Sequence, residues 1–366
     1  MSKNTLLSKL RGNTRTFVVH SSTSPYAAAA AMGAAAGRSG EFGPYFHFST
    51  KLTPTIQRDS AADAIRELPL SNLKADFQGD WVKFLREVGM PERGLKFDGS
   101  RTPEQNTMRY LNARRRIPIP TQRVVHESRE LSVPQEYKQD YFALKALINA
   151  GGDLRPYLSH DIPKKKRPHK YKNDLLLNAW GIQHLHFRPK GTGHILLCRI
   201  TGEEVFVIQT LPHDRRKRDV WVETRLLQIL HDNWPGQIAL GKLHGIPGEV
   251  VPRDQRIGLR DHNANFTTAM TDGTVYLAPG GGLMASGECC DDRTNCYKIF
   301  SELARWQEIA VSNATSIRAA LNWPPSEELS IKMMFEGREC CLYEPTTGKR
   351  LSLNLETEGP RALQEG

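Results

Sequence analysis

Apolar positions recur at helical spacing in several stretches of the chain and alternate at strand spacing in others. Phe77, Trp81, Phe84 and Leu85 fall on one face and predict a helix from Asp76 to Val88. Tyr137, Tyr141, Leu144, Leu147 and Ile148 predict another from Pro134 to Ala150, ended by Gly151-Gly152. Between them the run Arg114-Arg115-Arg116-Ile117-Pro118-Ile119-Pro120 reads as an extended linker, since residues before proline avoid the helical region. Ile182 to Phe187 alternates, and Gly193–Ile200 and Val205–Leu211 are rich in strand formers, joined by a turn at Thr201-Gly202-Glu203. Val220 to Asn233 then reads as a helix with Val222, Leu226, Ile229 and Leu230 inward, stopped by Pro235.

After Ile246 a Pro/Gly/Arg-rich loop runs through Arg260. A hairpin follows, with Phe266–Met270 and Val275–Leu277 flanking Asp272-Gly273. Asn295 to Leu321 predicts a helix, and Ile331–Phe335, Glu339–Tyr343 and Arg350–Leu355 a three-stranded meander. The pattern predicts an α+β protein: a small antiparallel sheet packed on helices, with a C-terminal hairpin, helix and meander. Five segments follow from the shifts in composition. Residues 1–41 are a flexible, basic, Ser/Ala-rich N-terminal segment and 42–100 a mixed region; 101–172 carry a basic linker and helix. Residues 173–245 hold a histidine-bearing sheet and helix, the expected catalytic core, and 246–366 a C-terminal α+β region. There is no internal repeat.

Charge changes the picture. With 50 Lys and Arg against 40 Asp and Glu, the chain carries a formal +10, which favours an acidic partner such as nucleic acid. Residues 101–170 hold fifteen of the basic residues against seven acids, including Arg114, Arg115 and Arg116 and a second run, Lys164-Lys165-Lys166-Arg167. These two runs and Arg188 are the candidate nucleic-acid contacts. No apolar stretch approaches the length of a membrane span, so no membrane partner is expected. Six cysteines, four of them in adjacent pairs, make no disulfide scaffold and suit a reducing cytoplasm. The first forty residues contain no acid, a composition shared by organelle transit peptides and by flexible tails.

The candidate chemistry centres on His184-Leu185-His186. In a strand the two imidazoles share a face while Leu185 and Phe187 point to the other; if those two fill the core, the histidines face a cleft or solvent. Paired imidazoles suit RNA cleavage by 2′-hydroxyl attack, in which one group takes a proton and another gives one. His186 is the expected base, His213 the expected acid, and Arg199 the expected phosphate stabiliser, although the sequence leaves the division of roles among the histidines open. Two histidines at i and i+2 also suit a metal site, with His213 or Asp174 as a third ligand. Asp174 and Asn178 fit helix caps as well as they fit orienting a histidine.

Pro279-Gly280-Gly281-Gly282 lacks the Lys-Ser/Thr of a nucleotide-binding loop, and Cys289-Cys290 with Cys296 has no second pair at zinc spacing. No cofactor is expected.

The runs Leu176-Leu177-Asn178-Ala179-Trp180-Gly181-Ile182-Gln183-His184-Leu185-His186, Pro212-His213-Asp214 and Asp232-Asn233-Trp234-Pro235 resemble a family of uncharacterised bacterial proteins with an LLNDWGIHHLHL-like core. The likeness is scattered over roughly residues 100 to 290, and the chain departs from it at Ala179 and Gln183. The order of strands and helix around the histidines is also similar to that of RelE-like ribonuclease toxins. That similarity implies metal-independent mRNA cleavage and a neutralising protein partner. The leading expectation is therefore a metal-independent endoribonuclease acting through His184, His186, His213 and Arg199. The alternatives are a non-catalytic nucleic-acid-binding or protein-interaction module and a metal-dependent His-x-His enzyme.

Overall fold

A computed structural model of the chain describes residues 47–48, 72–158, 173–189, 191–213, 219–336 and 339–351. The segment 1–41 and the run Lys164–Arg167 lie outside the described residues. After β1 (His47–Phe48) and β2 (Leu73–Ala75), α1 (Phe77–Phe84) begins where Asp76 accepts the Gly79 amide at 2.8 Å. It continues through a π turn, Leu85–Gly89, and a last α turn, Met90–Glu92.

The chain then forms α2 (Pro103–Arg116), so Arg114–Arg116 are the last turn of a helix and not the expected extended linker. Its start is strongly signalled. Thr102 accepts the Gln105 amide at 3.2 Å, the Gln105 side chain accepts the Thr102 amide at 3.1 Å, and Pro103 occupies the first turn. Three arginines suit the negative end of the helix dipole, and the break waits until Ile117, the residue before Pro118.

Next come β3 (Val124–Glu127), α3 (Lys138–Asn149) and α4 (Leu175–Trp180), then β4 (Gln183–His186), β5 (His194–Ile200), β6 (Glu204–Pro212) and α5 (Arg225–Asn233). β7 (Lys242–Leu243) precedes α6 (Arg253–Asp261), a helix where a loop was expected. β8 (Thr267–Ala269) and β9 (Val275–Leu277) form the expected hairpin. The long C-terminal helix starts earlier than expected and breaks at Asn313, giving α7 (Cys290–Ser312) and α8 (Ala314–Leu321). β10 (Leu329–Glu336), β11 (Glu339–Tyr343) and β12 (Arg350–Leu351) complete the meander.

The protein is α+β. The histidine-bearing sheet has the order β3-β6-β5-β4; β4, β5 and β6 run antiparallel as expected, whereas β3 adds in parallel to β6. The C-terminal meander is widened the same way, by β2 in parallel on β10 and β1 in parallel on β11. One face of the histidine-bearing sheet packs Leu185, Phe187, Leu196, Cys198, Val205 and Val207 into a core shared with α1, α2, α3 and α7. The opposite face packs Ile195, Leu197 and Ile208 against Leu176 and Trp180 of α4 and Leu226, Leu227, Ile229 and Leu230 of α5. His184 pairs with Leu197 and His186 with Ile195, so both histidines lie on this second face.

Candidate functional site

The three histidines meet. The His184 ring centroid stands 6.2 Å from those of His186 and His213, and His186 and His213 are 5.0 Å apart. Strand alternation puts His184 and His186 on one face, and the β6 ladder extends one residue further as the His213 amide donates to the Gly193 carbonyl at 2.7 Å. Leu185 and Phe187 fill a core as expected, yet the histidines face neither open cleft nor solvent. His184 is 7% and His186 3% exposed, because α4 and α5 cover their face with a second core. His213 is only half-buried.

Two neighbours define how these rings can act. The Thr192 amide donates to His186 Nδ1 at 3.2 Å. A nitrogen that accepts an N–H carries no hydrogen, so neutral His186 holds its proton on Nε2, and protonating Nδ1 would set two N–H groups against each other. His186 is thus built as a hydrogen-bond donor at Nε2, and the expected general-base role does not fit it. Thr192 is itself held in place, its hydroxyl donating to the His194 carbonyl and accepting from the Phe187 amide.

Asp174 is a helix cap, the first of its two expected roles. One carboxylate oxygen caps α4 by accepting the Leu177 amide at 3.0 Å, and the other lies 3.9 Å from His184 Nδ1. That 3.9 Å separation places a carboxylate beside the His184 ring but beyond hydrogen-bond reach. Thr192 was missed in the sequence; its only signal is its place in the turn Gly191-Thr192-Gly193.

The same geometry bears on the metal reading. With Nδ1 occupied by an amide and Nε2 protonated, His186 offers no lone pair to an ion, so the donor set does not fit a His-x-His centre. Among the described residues, no three His, Cys, Asp or Glu side chains are grouped to hold a metal ion. Cys289 and Cys296 are buried free thiols, both pushed up to about 12 by desolvation.

Most of the described basic candidates are held within the protein. Arg199 is buried on β5, two residues beyond the partner of His184, and its guanidinium lies against Gly181, where a Cβ would come within 2.1 Å of Nη1. Gly181, at φ +71, caps the end of α4 opposite to Asp174. Arg115 points inward: Nη2 donates to the Leu177 carbonyl at 3.1 Å and the Gly280 carbonyl at 2.8 Å, and Nη1 is 3.5 Å from buried Asp292. Desolvation pushes the Asp292 carboxyl above its ordinary range despite Arg115 opposing the shift. Arg116 is buried, and Arg114 lies 5.7 Å over the Tyr110 ring. Of the candidate nucleic-acid contacts Arg114–Arg116, Arg115 is thus an internal tie, Arg116 is buried and Arg114 is half-buried.

Arg188 alone among the described basic candidates is exposed. It holds Asp140 through Nε at 2.9 Å and Nη2 at 2.7 Å, and stands 5.5 Å over the Tyr137 ring. What the fold and site define is an α+β protein with a largely buried cluster of three histidines beside Asp174. The chain matches no family model, no curated protein and no solved structure. No helix among the described residues is long and apolar enough to cross a membrane.

Proposed function

We propose that the protein is a cytoplasmic, metal-independent endoribonuclease whose site is Asp174, His184, His186 and His213. The observation that carries this reading is the convergence of three imidazoles within 5.0–6.2 Å, one with a carboxylate oxygen 3.9 Å from its Nδ1 and one accepting a backbone amide at Nδ1. His184, supported by Asp174, takes the 2′-hydroxyl proton as the 2′-oxygen attacks phosphorus. The P–O5′ bond breaks, and protonated His213 gives its proton to the departing 5′-oxygen, leaving a 2′,3′-cyclic phosphate. His186 Nε2–H donates to a non-bridging oxygen, where charge builds in the transition state. His213 is the half-exposed side from which substrate approaches. The net charge of +10 supports an RNA partner, and a toxin-like role would add a neutralising protein.

The burial of His184 and His186 favours a second reading, a non-catalytic nucleic-acid-binding or protein-interaction module in which the cluster is structural. One experiment separates the two: labelled RNA and DNA incubated with the protein and with the His184→Ala/His213→Ala variant, with and without EDTA. RNA cleavage that survives EDTA and vanishes in the variant is the expected result. Salt-sensitive binding with the RNA uncut supports the second reading, and cleavage abolished by EDTA overturns the metal-independent mechanism.

A further inference from the structure

α6 carries Arg253, Arg256 and Arg260 at spacings of three and four, which places them along one stripe of the helix. Arg256 is satisfied, donating from Nε to the Val222 carbonyl at 3.1 Å and from Nη1 to the Val251 carbonyl at 2.7 Å. Arg260, one turn further on, is not. It is 4% exposed, and Nε, Nη1 and Nη2 are all buried without a hydrogen-bond acceptor. Its guanidinium stands 5.3 Å from the Trp180 ring and 5.2 Å from the Phe266 ring. Aromatic faces attract the cation but leave the in-plane N–H groups unanswered. Native interiors rarely leave such donors unmet, and an unpaired buried charge is more costly still.

We propose that Arg260 anchors an anion-binding site that is completed by a compact oxyanion of the phosphate class. The planar fork of a guanidinium matches two oxygens of such an ion. A second guanidinium, Arg256, sits one turn back on the same stripe and raises the local positive potential, which favours a multiply charged phosphate over a single carboxylate. Burial lowers the Arg260 pKa only to about 10, so the group stays charged at neutral pH. The site lies on a different element from the histidines and does not rest on the ribonuclease reading.

The test is thermal unfolding of the full chain in inorganic phosphate, in a 5′-phosphorylated dinucleotide, and in chloride at matched ionic strength, for the wild type and for Arg260→Met and Arg260→Lys. The wild-type Tm is expected to rise saturably with a phosphate-bearing probe, whereas Arg260→Met stays unresponsive and starts at least as stable in chloride, having lost the uncompensated charge. A response to inorganic phosphate assigns a free anion; a response to the dinucleotide alone assigns the phosphate of a nucleic acid. Phosphate also strengthens proteins by exclusion from their surfaces, but that effect raises both chains alike. Equal responses in wild type and Arg260→Met, or none in the wild type, overturn the proposal. Should Arg260→Met fail to fold, titration calorimetry with the same probes on the wild type and Arg260→Lys decides. Binding weakened by about tenfold in Arg260→Lys supports the site, because lysine lacks the fork, and unchanged affinity overturns it.

Discussion

The backbone amide of Thr192 decides which nitrogen of His186 carries hydrogen, and with it the part this ring can play. Asparagine places its carbonyl oxygen near the position of Nδ1, so His186→Asn keeps the Thr192 contact and loses only the Nε2 donor. In single-turnover cleavage of labelled RNA, His184→Ala and His213→Ala should each lower the rate by about 10²- to 10⁴-fold as proton-transfer partners. His186→Asn should lose less than either. A His186→Asn defect larger than both would return the base role to His186. The thiols show the same control by immediate surroundings. Cys198, Cys289 and Cys296 are pushed from 9.0 to about 12 by desolvation, which cuts their thiolate at pH 8 by about a thousandfold. A thiol reagent should therefore modify native protein at Cys290 or Cys341 before these three, as peptide mapping would reveal. The linkage sign follows: the unfolded chain releases these protons from pH 9 upward while the native one holds them to about 12. The stability these three thiols contribute is complete below pH 9 and falls between the two values, so the urea midpoint should drop from pH 8.5 to pH 10.5.

At the level of elements, α2 and the histidine face were legible to different degrees. The alternation of His184-Leu185-His186 was enough to place both rings on one side of a strand, but not to reveal that α4 and α5 bury that side. The cover comes from short or distant apolar runs whose partners no local pattern names. For α2 the apolar pattern gives no sign of the helix that starts at Thr102, and the arginines and prolines at its far end read as a linker. A charge run carries no record of whether it faces water. Arg115 makes the consequence concrete, because it ties α2 to the Leu177 and Gly280 carbonyls and to buried Asp292. Arg115→Met strands that carboxyl and should destabilise the protein by about 3–5 kcal/mol in urea unfolding. Adding Asp292→Asn removes the stranded charge and should recover part of the loss. If the double variant is no more stable than Arg115→Met, the carboxyl is not what the arginine compensates.

Across the whole molecule, the α+β class, the β8–β9 hairpin and the meander could be read from sequence because their contacts are local. The pairings that join distant regions could not. β2 at residues 73–75 lies in parallel beside β10, which starts at Leu329, and β3 lies in parallel on β6, some eighty residues later. Parallel pairing needs a long crossover, and nothing in a three- or four-residue strand announces its partner. The segment 173–245 carries every histidine of the cluster, yet it lacks β3 and all of α1, α2, α3 and α7, which supply the core against Leu185, Phe187, Leu196 and Cys198. Cut out alone, it would expose that apolar face and an unpaired edge on β6, a template for aggregation. Expressed by itself, the segment should therefore show no cooperative heat transition by circular dichroism and poor amide dispersion by NMR, whereas residues 72–351 should retain both. Restoring 101–172 should help without sufficing, since α1 and α7 would still be missing from the core. A sharp, reversible transition in the isolated 173–245 segment would show that the histidine sheet is stable without the core that spans the rest of the chain.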